Sequence, residues 1–217
     1  MQTKLVFIRH GITTWNKQKR YCGCKDIGLS SQGKAQIVKL RKSFRLESHK
    51  KISFDKIYCS DRKRALQTCS ILFGNGFGNR KPNHGLVAGR DFIKVKALRE
   101  INFGALEGLR HDEILEKYPE VYKEWLADPY KGRIPEAEPM RVFKKRVHGA
   151  IKKILQVNRG KTIAIVCHGG VIGIFVSSIL KSRNFWSYVP SAASVTVVEH
   201  KNNKLKLKKF NSIQGRF

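Results

Sequence analysis

Thr162-Ile163-Ala164-Ile165-Val166-Cys167, followed at once by His168-Gly169-Gly170, is the stretch on which the fold turns. TIAIVC is a short, β-branched, continuously apolar run, the pattern of a strand buried on both faces of a parallel sheet. His-Gly-Gly then leads into a second apolar stretch ending near Leu180, which reads as a helix. Working outward, Lys4 to Ile8 is a similar run at the start of the chain, and Phe54 to Tyr58 reads as a further strand. Asp91 to Leu98, Ser194 to Glu199 and Lys204 to Phe210 complete the expected strands. Between them, Leu29 to Gly33 signals a helix start before Ala35, Val38 and Phe44, and a second helix carries Ala65, Thr68, Ile71 and Leu72. Ile114 to Trp125 and Met140 to Val157 are helical by pattern, with a proline-bearing loop between them. Gly74 to Gly89 holds five glycines and Pro82 and reads as a mobile loop. Strands alternating with helices predict an α/β fold: a three-layer α/β/α sandwich with a mainly parallel central sheet, one domain over residues 1–217.

Composition narrows the class. The 217 residues are 41% hydrophobic and carry a net charge of +28. That apolar fraction suits a globular core rather than disorder. The longest apolar stretch, Gly169 to Leu180, falls short of the ~20 residues a bilayer span needs. Met1 to Arg9 has only four consecutive apolar residues, fewer than the ~7–15 of a secretory core, so a cytoplasmic protein without membrane association is expected. The excess of Lys and Arg is scattered, with no basic arm or tail. It predicts a positive outer field that attracts anions and binds nucleic acid weakly and without specificity. The lysines of Lys204 to Phe210 read as edge-strand protection. Five cysteines show no metal-site spacing and imply reduced thiols.

The placement of the polar residues is informative. Arg9-His10-Gly11 follows the first strand, Ser60 to Arg64 the second, and His168-Gly169-Gly170 the TIAIVC strand. Ligands of open α/β sheets bind outside the carboxyl ends of the strands, so two histidines and at least two arginines are expected on one rim. Arginine forks suit a phosphate dianion. A neutral imidazole there can attack phosphorus, with Arg9, Arg64 and a protonated His168 stabilising the equatorial oxygens. On that scheme the two histidine pKa values lie on opposite sides of the working pH. Glu100, just after the third expected strand, is placed to protonate the leaving group. The scheme calls for no metal and no cofactor. His84, His111, His148 and His200 fit no motif, Cys167 reads as a small buried residue, and Glu107 and Glu113 stay undecided between helix-face charges and outer-pocket groups.

Four segments in order, RHGITTWN (Arg9 to Asn16), SDRKRA (Ser60 to Ala65), LREINFGALEG (Leu98 to Gly108) and CHGG (Cys167 to Gly170), resemble the histidine phosphatase superfamily, the phosphoglycerate mutase-like branch 1. The resemblance covers residues 4 to about 175 and implies a phosphoglycerate mutase-like fold. It implies His10 as the phosphorylated nucleophile, Arg9, Arg64 and His168 as the rest of the phosphate pocket, and Glu100 as general acid and then base. It also implies phosphate or substrate contacts from Asn16, Gly23 and the Gly169 backbone. Arg62 and Arg99 flank motif arginines without matching them.

Within that family, cofactor-dependent phosphoglycerate mutases resemble this chain in the first motif. They carry a longer insertion after the glutamate motif, with an Arg-Arg pair, where this chain has Tyr118 to Pro129. A phosphatase is therefore expected, with a mutase as the alternative. LREINFGALEGLRHDEI and PEAEPMRVFKKRV (Pro135 to Val147) look most like α-ribazole phosphatases, whose substrate is α-ribazole 5′-phosphate in cobalamin nucleotide-loop synthesis. Ala137-Glu138-Pro139 departs from the Gly-Glu-Ser usual there, which keeps broader sugar or phosphoserine phosphatases in view. A non-catalytic polyanion-binding protein is the remaining alternative; the complete set of Arg9, His10, Arg64, Glu100 and His168 argues against it. The expected partner is a small phosphorylated metabolite, with oligomeric state left open.

Overall fold

The computed structural model of the chain describes residues 1–46, 53–74 and 92–213. One six-stranded sheet organises it, in the order β3-β2-β4-β1-β5-β6. The strands are β1 (Gln2–Arg9), β2 (Lys56–Cys59), β3 (Ile93–Lys94), β4 (Thr162–Cys167), β5 (Val195–Lys201) and β6 (Lys204–Ser212). The pairs β1·β4, β2·β4 and β2·β3 are parallel, whereas β5 runs antiparallel to both β1 and β6. The central sheet is thus mixed, parallel over the half that carries the motifs. TIAIVC occupies its middle, between β1 and β2, which is why it can be apolar on both faces.

Residues alternate across the sheet and so bind two helical layers. Leu5 and Phe7 of β1 and Ile163 and Ile165 of β4 face one side. There they meet Phe143, Val147, Ile151 and Ile154 of α6 (Met140–Val157) and the apolar α7 (Gly169–Ile179). The α6 residues fall at helical spacing and make a single buried stripe. Val6, Ile8, Ala164 and Val166 face the other side. They pack on Ile37, Leu40 and Phe44 of α2 (Ser31–Leu46) and on Ala65, Cys69 and Leu72 of α3 (Lys63–Phe73). The result is the expected α/β/α sandwich. A third, aromatic cluster of Tyr122, Trp125, Leu106 and Ile114 is built by α4 (His111–Lys117) and α5 (Pro119–Ala127) and takes Tyr21 against it. A single turn, α1 (Thr14–Lys17), follows the first motif.

Two expectations are corrected. The single helix expected over Ile114 to Trp125 is two helices, because Pro119 lacks an N–H and forces Tyr118 out of helical geometry, at φ −138° and ψ 49°. The strand expected over Asp91 to Leu98 reduces to Ile93–Lys94, and Asp91 lies outside the described residues. Val95 N–H still reaches Cys59 C=O at 2.8 Å, but Lys96–Leu98 then curls into a 3-10 turn that buries Leu98 completely. Arg146 fixes this departure from the sheet by donating to the carbonyls of Ala97, Arg99 and Glu100. Apart from Gly74, the loop expected over Gly74 to Gly89 lies outside the described residues. Among the described residues no helix is long and apolar enough to cross a membrane.

Candidate active site

Because β1, β4 and β2 are neighbours, the three segments that follow them are neighbours too. His10 N–H donates to Cys167 C=O at 3.1 Å, and Ser60 N–H to Val166 C=O at 2.9 Å, so each segment extends the ladder by one residue. The His10 and His168 rings come to rest with centroids 5.1 Å apart, inclined at 63°. His10, Arg64, Glu100 and His168 are all buried at 9% exposure or less. Four ionisable side chains at that depth are costly unless each answers another.

His10 is held in one tautomer. Its Nδ1 lies 2.8 Å from Gly11 C=O, which can only accept, so Nδ1 carries the proton and Nε2 presents a lone pair. Burial, with the positive charges of Arg64 and Arg9, keeps its pKa well below the ordinary imidazole range. The ring is therefore neutral and nucleophilic at neutral pH.

His168 is fixed the other way round. Arg64 Nε–H donates to His168 Nδ1 at 3.2 Å, so that nitrogen accepts, and Nε2–H donates to Ser60 Oγ at 2.8 Å. A protonated His168 would set two donors against each other at Nδ1. Burial first, then Arg64, His10 and Arg9, push its pKa well below the usual value. This corrects the expectation of a protonated His168 with the two histidines on opposite sides of the working pH; both are neutral, and the site's positive charge resides on Arg9 and Arg64. The rest of the Arg64 guanidinium is gripped by the carbonyls of Lys25 at 3.0 Å, Gly23 at 2.9 Å and Cys22 at 3.3 Å. Five donors and four partners leave the fork one N–H to offer a phosphate oxygen.

Glu100 closes the pocket at the start of α7. Its Oε2 accepts from Gly170 N–H at 2.9 Å and its Oε1 from Ile101 N–H at 3.1 Å. Those bonds and the two arginines favour the carboxylate, but burial outweighs them and raises its pKa above the ordinary range. A Cβ at position 170 would stand 2.3 Å from Oε1, so glycine is what lets the carboxyl approach the helix end. A Cβ at Gly169 would press at 3.0 Å on the Arg9 guanidinium carbon. Arg9 donates to Pro190 C=O, while its buried Nε has no partner.

The outer residues divide. Asn16 Oδ1 accepts from the Thr13 N–H and hydroxyl, each at 3.0 Å, completing a capping box on α1. Its amide oxygen thus braces the first loop. Gly23 N–H donates to Glu107 Oε1 at 3.0 Å, not into the pocket. Its part in the site is its carbonyl on Arg64 and the absence of a Cβ, which would fall 1.9 Å from Ile101 C=O. Two residues that sequence reasoning left without a role belong to the arrangement. Ser60 lay inside a quoted motif and anchors His168. Glu107, undecided from sequence, accepts backbone N–H bonds from Gly23, Cys24, Lys25 and Phe103 and so fixes the 22–25 loop whose carbonyls grip Arg64. His84 lies outside the described residues. His111 and His148 bond Tyr122 and Ser178, away from the pocket. Among the described residues no three His, Cys, Asp or Glu side chains gather in a way that could hold a metal ion.

The pocket brings together a neutral imidazole lone pair, two guanidinium groups and a buried carboxyl whose pKa is raised, groups that can serve phosphoryl transfer. Comparison with known proteins gives the family. Residues 5–213 match the histidine phosphatase superfamily, branch 1. Phosphoserine phosphatase 1 of Hydrogenobacter thermophilus is 28% identical over 209 residues, covering 94% of this chain and 91% of its own. Among solved structures, YhfR of Bacillus stearothermophilus superposes with a TM-score of 0.82 at 28% identity, over 97% of this chain and 98% of that one. The α-ribazole phosphatase of Shigella flexneri does so with 0.79 at 22% identity, over 99% and 98%, a likeness of fold.

Proposed function

The chain belongs to the histidine phosphatase superfamily, branch 1, and is a phosphoric monoester hydrolase by its relatives; from that premise we propose that it cleaves a small phosphate ester through a phosphohistidine at His10, without a metal. The observation that carries this reading is the tautomer of His10: its proton sits on Nδ1 toward Gly11 C=O, which leaves Nε2 free to attack.

The geometry supports the following steps. The ester phosphate enters between Arg9 and Arg64, while His168, bonded to Ser60 and Arg64, holds the Arg64 guanidinium in place. His10 Nε2 forms a bond to phosphorus as the ester oxygen leaves with the electron pair of the broken P–O bond. Glu100, whose raised pKa lets it hold a proton, donates that proton to the departing alkoxide. The resulting Glu100 carboxylate then takes a proton from a water, whose oxygen attacks the phosphohistidine, restoring His10 and releasing phosphate.

For the substrate, likeness to α-ribazole phosphatases supports α-ribazole 5′-phosphate, at an identity that speaks for the fold. The phosphoserine phosphatase relative supports a phosphorylated amino or hydroxy acid. Phosphate release with EDTA present, from α-ribazole 5′-phosphate, phosphoserine, sugar phosphates and 3-phosphoglycerate, tests the reading beside His10→Ala. Turnover by the wild type and none by the variant is expected. A wild type that releases nothing from the panel, or a His10→Ala enzyme that still turns over, contradicts it.

A further inference from the structure

Four other arginines have partners. Arg64 is held by three carbonyls and His168, Arg9 donates to Pro190 C=O, and Arg146 pairs with Glu138 at 2.6 Å. Arg99 takes both oxygens of Asp61, at 2.7 and 2.6 Å. Arg62 differs. Among the described residues its side chain makes no hydrogen bond and no ion pair, although its Nε is buried. Its nearest carboxylate in sequence, Asp61, is wholly engaged by Arg99. Asp61 feels the Arg62 charge but gives its oxygens to Arg99, so the Arg62 guanidinium has a desolvated Nε and no carboxylate in hydrogen-bond contact.

Its position says what could answer it. Arg62 stands between Ser60, which anchors His168, and Arg64, which binds the phosphoryl site, at the N-cap of α3. Its charge is felt by both His168 and the Cys22 thiol, on two walls of the same pocket. On the reading above the group transferred to His10 is bound by Arg9 and Arg64, so a cation close to Arg64 in the chain and outside the phosphoryl site would meet the part of the substrate that leaves.

We propose that Arg62 binds a second anionic group, a carboxylate or a second phosphate, on the leaving-group side of the substrate. This rests on the hydrolase reading above and gives it a substrate class: phosphate esters of acids, or bisphosphates. α-Ribazole 5′-phosphate has neither group, so the assignment turns away from the substrate expected from sequence. Arg62 is a specificity-determining residue and takes no part in bond making.

Matched esters test it. 3-Phosphoglycerate and glycerol 3-phosphate share a skeleton and differ in a carboxylate; fructose 1,6-bisphosphate and fructose 6-phosphate differ in a phosphate. The wild type is expected to favour the more anionic member of at least one pair by roughly ten- to a hundredfold in kcat/KM, the range of a hydrogen-bonded charge pair. That pair names the group. In Arg62→Leu the ratio falls to about one, and Arg62→Lys, which keeps the charge without the fork, recovers part of it. Thermal melts of both variants show whether they fold. A wild type without preference in either pair, or a preference that survives in a folded Arg62→Leu enzyme, overturns the assignment and leaves the hydrolase reading standing. No phosphate release from any of the four esters by the wild type overturns the hydrolase reading and the assignment with it.

Discussion

Glu100 and Glu107 lie on one short stretch of chain, both carboxylates accept backbone N–H bonds, and their chemistry differs completely. Glu100 accepts two such bonds in a fully buried pocket, and burial prevails, so its pKa is raised. Glu107 accepts from four residues, Gly23, Cys24, Lys25 and Phe103, in a half-buried loop. On the proposed mechanism the first exchanges a proton, whereas the second holds a loop in place. Depth and the number of amide donors, rather than residue type, separate an acid from a clamp.

Substitutions at the two ends should separate these roles. The largest effect is expected for Glu100→Gln, which keeps shape and loses the exchangeable proton. Hydrolysis of alkyl phosphates should fall by about 10²–10⁴-fold in kcat. p-Nitrophenyl phosphate, whose leaving group needs no proton, should show a much smaller loss in phosphorylation of the enzyme, measured as the burst of nitrophenol. Equal losses on both substrates would remove Glu100 from the acid role.

Arg64 is where the clamp reaches the chemistry. Arg64→Ala removes the proposed phosphate donor and the partner of His168, and about 10²–10³ in kcat/KM should go with it. Glu107→Ala acts on the same arginine at one remove by loosening the Lys25, Gly23 and Cys22 carbonyls. A rise in KM of about tenfold, with kcat changed less, is expected, together with about 1–3 kcal/mol of lost stability by urea unfolding. If kcat falls as far as in Arg64→Ala with KM unmoved, Glu107 touches the reaction directly and the comparison fails.

The pH dependence follows from the same burial. His10 must be neutral and Glu100 protonated for the first step. His10 is depressed below its ordinary 6.5 and Glu100 raised above its ordinary 4.5. The acid limb of kcat/KM should therefore lie well below 6.5 and the alkaline limb above 4.5, and the alkaline limb should disappear in Glu100→Gln. For stability the sign is set by the histidines. Their folded pKa values lie below the unfolded value, so the unfolded chain binds protons the native state refuses. Stability is then retained above about pH 6.5 and declines as pH falls below it, which melts at successive pH values would show. The smallest effect is expected at Asn16, where alanine removes the bonds its amide oxygen accepts from the Thr13 N–H and hydroxyl while Thr13 Oγ still caps α1, at about 0.5–1.5 kcal/mol.

How much of this was legible in the sequence depended on how far each feature reaches along the chain. β4 and α6 match the expected Thr162 to Cys167 and Met140 to Val157 residue for residue, since a continuous apolar run and a regular helical stripe are local signals. The break at Pro119 was equally local, yet the apolar periodicity on either side masked it. β3 is short because Leu98 turns inward and Arg146 draws the backbone off the sheet, a contact 49 residues long at Ala97. The arrival of His10, Arg64, Glu100 and His168 on one rim was readable from their places after strands. The protonation of His168 was not, because it is decided by Arg64 Nε across 104 residues of sequence. Glu107 was undecidable for the same reason, its amide donors on the 22–25 loop lying 82 to 84 residues away.

The central claim is that His10 Nε2 becomes phosphorylated, and trapping that intermediate tests it most directly. The enzyme is mixed with a labelled phosphate ester, quenched in alkali within the first turnovers, and digested for peptide mass analysis. The account predicts a base-stable, acid-labile phosphoryl group on the peptide containing His10, absent in His10→Ala and longer-lived in Glu100→Gln. A folded, active enzyme that turns over without ever carrying phosphate on His10 would contradict it.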